Sequence, residues 1–204
     1  GNPALTSTGG IGANLNHVGT NDAGESIVIR NNPSLVDVGE WDLFGAPGSL
    51  TVEENMMLKH LSGFSSIKMV EGSVMIRFNE QLEDVSGLSG LNSVGKDPSG
   101  NSLVIVSNPN LHDLTGLRGL QGLLSGAVHV ASNEALTTLD GLNQVLGVGF
   151  DNNGVSLNIT SNEKLHSIEG LGGLTGRLNG SVVVMMNPSL KVLAGLQLIS
   201  EIGA

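Results

Sequence analysis

Three loops of related sequence carry carboxylate and amide side chains at matched places: VGTNDAGES over 18–26, VGKDPSGNS over 94–102 and VGFDNNGVS over 148–156. Asn21 with Asp22, Asp97 and Asp151 offer the oxygen donors that calcium takes. Calcium needs roughly six to eight oxygens around one point, and each loop brings only one or two acidic groups. Asp, Asn, Pro and Gly are also the usual turn formers, so the loops read as turns. The cofactor expectation is none, with calcium around Asp22, Asp97 and Asp151 as the alternative weighed against it.

The histidines are His17, His60, His112, His129 and His166. They are scattered, and the expectation is that they lie on the surface without forming a metal site. Neither a G-x-S-x-G elbow, an H-E-x-x-H pair nor a P-loop occurs, and no carboxylate pair or nucleophile-base pair stands out. The chain therefore reads as not an enzyme. A net charge of −10 with no basic run argues against nucleic acid. No apolar stretch approaches bilayer length, so no membrane span is expected in this segment. With no cysteine there is neither a disulfide nor a thiolate site to consider.

What positions these loops is a repeat. Seven segments share S-Φ-x-Φ-x-x-N-x-x-L, followed by x-x-Φ-x-G-L: SIVIRNNPSL from Ser26, SLTVEENMML from Ser49, SVMIRFNEQL from Ser73, SLVIVSNPNL from Ser102, AVHVASNEAL from Ala127, SLNITSNEKL from Ser156 and SVVVMMNPSL from Ser181. Asparagine holds the seventh place as Asn32, Asn55, Asn79, Asn108, Asn133, Asn162 and Asn187, and Asn2 fits as an eighth. The steps of 30, 23, 24, 29, 25, 29 and 25 residues lie in the leucine-rich-repeat range. From Asn79 to Asn133, Asn108 to Asn162 and Asn133 to Asn187 the interval is always 54, because long coils that carry an insertion alternate with short ones.

The organisation expected is one repeat domain over 1–204: a partial coil 1–25, then coils 26–48, 49–72, 73–101, 102–126, 127–155, 156–180 and 181–204. Both ends read as cut from a longer array, since Asn2 lacks its strand and ISEIGA aligns 54 residues on from VLGVGF.

Positions two and four of every strand are aliphatic, Leu103 and Ile105 for example. Alternation sends them to one face, the core. Leu111, Leu114 and Leu117 return the chain around it. One coil cannot bury this alone, so stacking must. An asparagine has two donors and an acceptor, and its stacked copies can satisfy the buried turns of successive coils. The glycine before L in x-G-L (Gly63, Gly87, Gly116, Gly141, Gly170, Gly195) is expected to permit a turn that a β-carbon obstructs.

Ordinary leucine-rich repeats set a leucine two residues after the asparagine; here it comes three after, as in Asn108 to Leu111. Through these N-x-x-L and Φ-x-G-L columns the chain resembles the receptor L-domain repeat. That resemblance implies an all-β, right-handed parallel β-solenoid of leucine-rich-repeat type, here of about 7–8 coils with an internal Asn ladder. It also implies a ligand-binding lobe of cell-surface proteins, with no catalytic residues to carry over. Receptor lobes are usually capped by disulfides, a departure that favours a distant surface or secreted repeat protein.

The outward strand positions give the candidate binding surface. Met75, Phe78, Val104 and Val106 form an apolar cluster where solvent-facing residues are normally polar, with Arg77 and His129 beside it; Val183, Met185 and Met186 form a second cluster. Arg30, Glu53 and Arg77 share one column, where opposite charges on neighbouring strands support each other. Asn158-Ile-Thr and Asn179-Gly-Ser are glycosylation-type triplets. The function expected is extracellular or cell-surface recognition or adhesion, with a protein or glycan ligand. One alternative is a structural rod or filament that self-associates end to end. Another is an ice-binding solenoid, which the irregular third column (Val, Thr, Met, Val, His, Asn, Val) disfavours.

Overall fold

The computed structural model describes residues 1–9, 11, 15 and 17–203. Parts of the partial coil 1–25 (10, 12–14 and 16) and Ala204 of the last coil lie outside the described residues. The strands in chain order are β1 Glu25–Arg30, β2 Gly45–Ala46, β3 Ser49–Glu53, β4 Met69–Val70, β5 Val74–Arg77, β6 Ser93–Val94, β7 Asn101–Val106, β8 Gly122–Leu124, β9 Ala127–Ala131, β10 Val145–Val148, β11 Val155–Thr160, β12 Gly176–Leu178, β13 Ser181–Met185 and β14 Ile199–Ile202. The seven repeat strands form one parallel sheet in the order β1-β3-β5-β7-β9-β11-β13. The protein is a parallel β-solenoid of about seven turns.

Register keeps equivalent positions together. Leu50, Val74, Leu103, Val128, Leu157 and Val182 are successive partners across the sheet. Positions two and four point inward and are buried from Ile27 to Ile159, whereas Val182 and Val184 on the sheet's last strand are half-buried with a coil on one side only. The leucine columns close the core behind them: Leu58, Leu82, Leu111, Leu136 and Leu165 all have no exposed surface. Burying one such side chain contributes about 1.5–3 kcal/mol, so the core is distributed evenly along the stack. Between the first two full coils the aromatic pair Trp41 and Phe64 contributes, edge to face with centroids 5.6 Å apart.

The coil closes through elements that the repeat pattern did not single out. Short parallel strands make a second wall, β2-β4-β6, β8-β10 and β12-β14. Four coils turn through 3-10 segments, Ser62–Phe64, Ser86–Leu88, Thr115–Leu117 and Glu169–Leu171. Each contains the x-G-L glycine, and a β-carbon there is obstructed as expected. Gly63, Gly87, Gly116 and Gly170 do not take positive φ, whereas Gly141 and Gly195 do. What excludes a side chain is the preceding coil: a β-carbon on Gly87 would lie 1.5 Å from the Leu61 carbonyl oxygen, and one on Gly116 would lie 2.0 Å from that of Val85.

The asparagines are bonded in one direction. The backbone N–H and Nδ2 of each donate to Oδ1 of the next, as from Asn79 to Asn108 at 3.2 and 3.2 Å and from Asn108 to Asn133 at 3.1 and 3.3 Å. Asn108 Nδ2 also donates to the Ile76 and Val106 carbonyls at 3.0 and 3.2 Å. The chain of contacts runs from Asn2, which donates to Asn32 Oδ1 at 3.1 Å, to Asn187, whose Oδ1 accepts from Asn162 at 2.9 Å.

Candidate ligand-binding face

Outward strand residues and the insertion loops share one side of the solenoid. Every loop is shaped by a side-chain oxygen that accepts the N–H groups of its own turn. Asn21 Oδ1 takes Ala23 and Glu25 at 3.0 and 2.9 Å, Asp97 Oδ1 takes Asn101 at 2.9 Å, and Asp151 Oδ1 takes Asn153 and Val155 at 2.8 and 2.9 Å. These are Asx-type turns, each built on the Oδ1 atom of its Asn or Asp. Asp22 is exposed on its own loop. Among the described residues no three His, Asp or Glu side chains converge as a metal site.

The loops at 97 and 151 belong to strands two coils apart, and those at 21 and 97 to strands three coils apart, yet they touch. Asn152 donates its N–H to the Ser99 carbonyl at 2.9 Å and its Nδ2 to the Pro98 carbonyl at 3.1 Å, joining the loops at 97 and 151. Gly24 approaches the Pro98 ring, where a β-carbon would meet it at 3.9 Å. The physical reason is the tight coils between them, two between the first and second loops and one between the second and third: with no loops of their own, they leave space into which the longer coils lean. Together they roof the N-terminal end of the strand face, which explains why the outward residues Ser73 and Thr51 are 0 % and 1 % exposed.

Beneath the roof lies a recess of about 340 Å³. Its floor is Ser49, Thr51, Ser73 and Met75, and its walls are Ala23, Glu25 and Arg30 on one side and Asp97, Pro98 and Ser99 on the other. Asp97 Oδ2 accepts the Ser73 hydroxyl at 3.2 Å, and Glu25 Oε1 accepts that of Thr51 at 3.1 Å. The charged column borders it: the buried Glu53 carboxylate is gripped on either side by Arg30 and Arg77. Arg30 also reaches Glu25 at 3.3 Å. Carboxylates, a guanidinium group and hydroxyls line the recess together with the apolar Ala23, Met75 and Pro98.

The residues singled out from sequence divide across this face. Met75 enters the recess floor and is half-buried, as are Val104 and Val106, so the apolar cluster is less bare than the alternation implies. Phe78 is 46 % exposed, with the Arg77 guanidinium 5.9 Å from its ring centroid. It faces a separate groove of about 290 Å³ with Glu80, Ser107, Pro109, Ser132 and Glu134. Met185 and Met186 are exposed on the last strand and its turn. Of the triplets, Asn158 is half-buried within β11 and Asn179 is exposed.

His129 departs from the surface position expected of it. Its side chain is 16 % exposed, with Nε2 3.3 Å from Asp151 Oδ2 but without hydrogen-bond alignment. Burial pulls the imidazole below its ordinary pKa, and the Asp151 and Asp97 carboxylates pull only part of the way back. Burial pushes the Asp151 carboxyl up, but the Val155 and Asn153 donors and the nearby His129 outweigh it and hold the group below its ordinary value.

Two features escaped the sequence reading. Position six of every strand, Asn31, Glu54, Phe78, Ser107, Ser132, Ser161 and Met186, has a left-handed φ of 55–58°. This residue turns the chain inward toward the asparagine; Asn31 suits it, but Phe78 and Met186 gave no signal. The second wall also carries an exposed apolar ridge, with Phe44, Leu123 and Leu146 exposed by 67 %, 77 % and 50 %, and Met69 beside them. Its only sequence trace is short alternation such as Leu123 outward and Leu124 inward.

Residues 46–145 match the family model described as Receptor L domain. No curated protein and no solved structure matches the chain.

Proposed function

From a chain that is a receptor L-domain-like β-solenoid, its matched residues 46–145 covering the coils that build most of the strand face, we propose a non-enzymatic recognition or adhesion module that works outside the cell or on its surface. The receptor L domain is a ligand-binding module of receptors, and the reading extends that role to the roofed strand face. The observation that carries it is the recess: the first two loops flank outward strands and leave about 340 Å³ among charged and hydroxyl groups with Met75 at the floor. Ligand sites are typically concave with a few convergent polar groups, and this one suits a sugar unit of a glycan or a side chain presented by a protein. Arg77, Phe78, Val104 and Val106 extend the contact surface beyond it.

The test probes arrays of immobilised glycans and of secreted protein ectodomains with the wild-type chain and with Met75→Arg, which fills the recess. The expected outcome is at least one probe bound by the wild type and released by a variant whose melting temperature stays within a few degrees. Binding unaffected by Met75→Arg contradicts the site, and an absence of any bound probe contradicts the function.

A second reading, a structural rod, has its own support. Met186, Val192, Leu193 and Leu198 on the last described coil are exposed by 73 %, 59 %, 57 % and 59 %, a surface that a further coil, of this chain or another, would cover. Among the described residues no helix is long and apolar enough to cross a membrane.

A further inference from the structure

The coil between the second and third insertion loops turns tightly at Gly126 and carries His129. Above it the loops 94–101 and 148–155 are joined by the two Asn152 bonds to Ser99 and Pro98, 2.9 and 3.1 Å long. The junction is close-packed: a β-carbon on Gly100 would lie 2.8 Å from the Asp151 Cα. His129 sits under this junction, and its register partners are Val104 on β7 and Asn158 on β11. Nε2 of His129 and Oδ1 of Asn158 are both buried without a hydrogen-bond partner. The charged groups facing the imidazole are Asp151 from one loop and Asp97 from the other; the strand partners carry no charge.

This environment tolerates a neutral ring and serves a charged one poorly. An imidazolium donates from both nitrogens, and a buried donor without an aligned acceptor is costly. Asp151 relieves this only in part: its carboxylate attracts the charged ring, but Oδ1 already accepts two N–H groups and Oδ2 is misaligned with Nε2. Although the side chain is 16 % exposed, Nε2 is buried, and water reaches that nitrogen only if the joined loops part.

We propose that His129 is a proton-operated latch: with the ring neutral the loops 94–101 and 148–155 close over it, and its protonation parts them and opens the roof of the strand face. Whichever arrangement hydrates the imidazolium gains population as pH falls. Burial lowers the affinity of the closed form for the proton, so opening sets in below the ordinary histidine value of about 6.5. Asp97 and Ser99 also wall the recess, so acid would loosen a bound ligand. That consequence rests on the recognition reading; the latch itself does not.

The test needs no ligand. Amide exchange is followed by nuclear magnetic resonance from about pH 7.5 to 5, corrected for intrinsic chemistry, together with titration of the His129 ring in the same samples. The latch predicts that protection at Asn101, Asn152 and Val155 falls at least about threefold, with the midpoint of the His129 ring signal, while protection in the Asn21–Glu25 loop stays constant. In His129→Gln the decrease should vanish. Constant protection through the ring titration, a midpoint that differs from the ring's, or an equal decrease in His129→Gln overturns the proposal. If His129→Gln does not fold, agreement or disagreement of the two wild-type midpoints still decides it.

Discussion

At the scale of single residues, the most consequential is an asparagine that no ligand touches. Replacing Asn108 by Ala removes the acceptor for the Asn79 N–H and the donor to the Ile76 and Val106 carbonyls, all in the buried turn column. Each buried group left unpaired costs about 1–3 kcal/mol, so Asn108→Ala should lose about 3–5 kcal/mol in urea unfolding. The exposed Asn179→Ala serves as the control and should lose almost nothing. Phe78 works the other way. Its φ of 57° is unfavourable for a bulky side chain, and Phe78→Asn should raise stability by about 0.5–1 kcal/mol while weakening any ligand that uses the ring.

Asp151 gives a pH prediction whose sign follows from its lowered pKa. A carboxyl more acidic in the folded state contributes stability above its unfolded pKa, and that contribution disappears as pH falls through the folded value. Asp151→Asn keeps an oxygen for the loop turn but removes the charge. It should therefore be less stable than wild type near pH 7 and nearly equal to it near pH 2, as measured by denaturant unfolding at both values.

Elements show where coils, rather than residues, set the limits. The 3-10 turn at Ser86–Leu88 lies against the preceding coil so closely that Gly87→Ala must displace the Leu61 carbonyl. Because that neighbour is backbone, the expected result is loss of about 3 kcal/mol or more, or failure to fold. Gly19→Ala, with nothing within 4 Å of its β-carbon position, should be silent.

The same scale explains what could be read from the sequence. Strand alternation, the asparagine column and the leucine returns are each periodic in the chain, so coils and core follow from spacing. The meeting of loops two and three coils apart is not periodic. It depends on the tight turns at Gly48, Gly72 and Gly126 leaving space above the sheet, a three-dimensional consequence of the coils that lack an insertion. Hence Met75 and His129 were found as outward residues, but Glu25, Asp97 and Ser99 were missed as parts of the same enclosure. The left-handed sixth position was invisible for another reason: side chains as different as Asn31 and Phe78 fill it, and the fold, not their propensity, imposes the angle.

For the whole molecule, stacking makes stability continuous along the solenoid and leaves function to surfaces that interrupt its regularity. Two such surfaces compete, the roofed strand face with its charged recess and the ridge of Phe44, Met69, Leu123 and Leu146 on the second wall. Assembly separates recognition from the rod reading. Light scattering coupled to size exclusion should give a 20.9 kDa particle at every concentration for a recognition module, whereas filaments that lengthen with concentration would make the rod primary.

The claim that the roofed face binds the ligand is tested most directly by a hydrogen–deuterium exchange footprint, with and without the tightest-binding probe from the glycan and ectodomain arrays. The account predicts slowed exchange in Asn21–Glu25, Ser49–Glu53, Val74–Phe78 and Asp97–Asn101. Protection confined to β4, β8 and β10, with those segments unchanged, would contradict it and move the binding site to the apolar ridge.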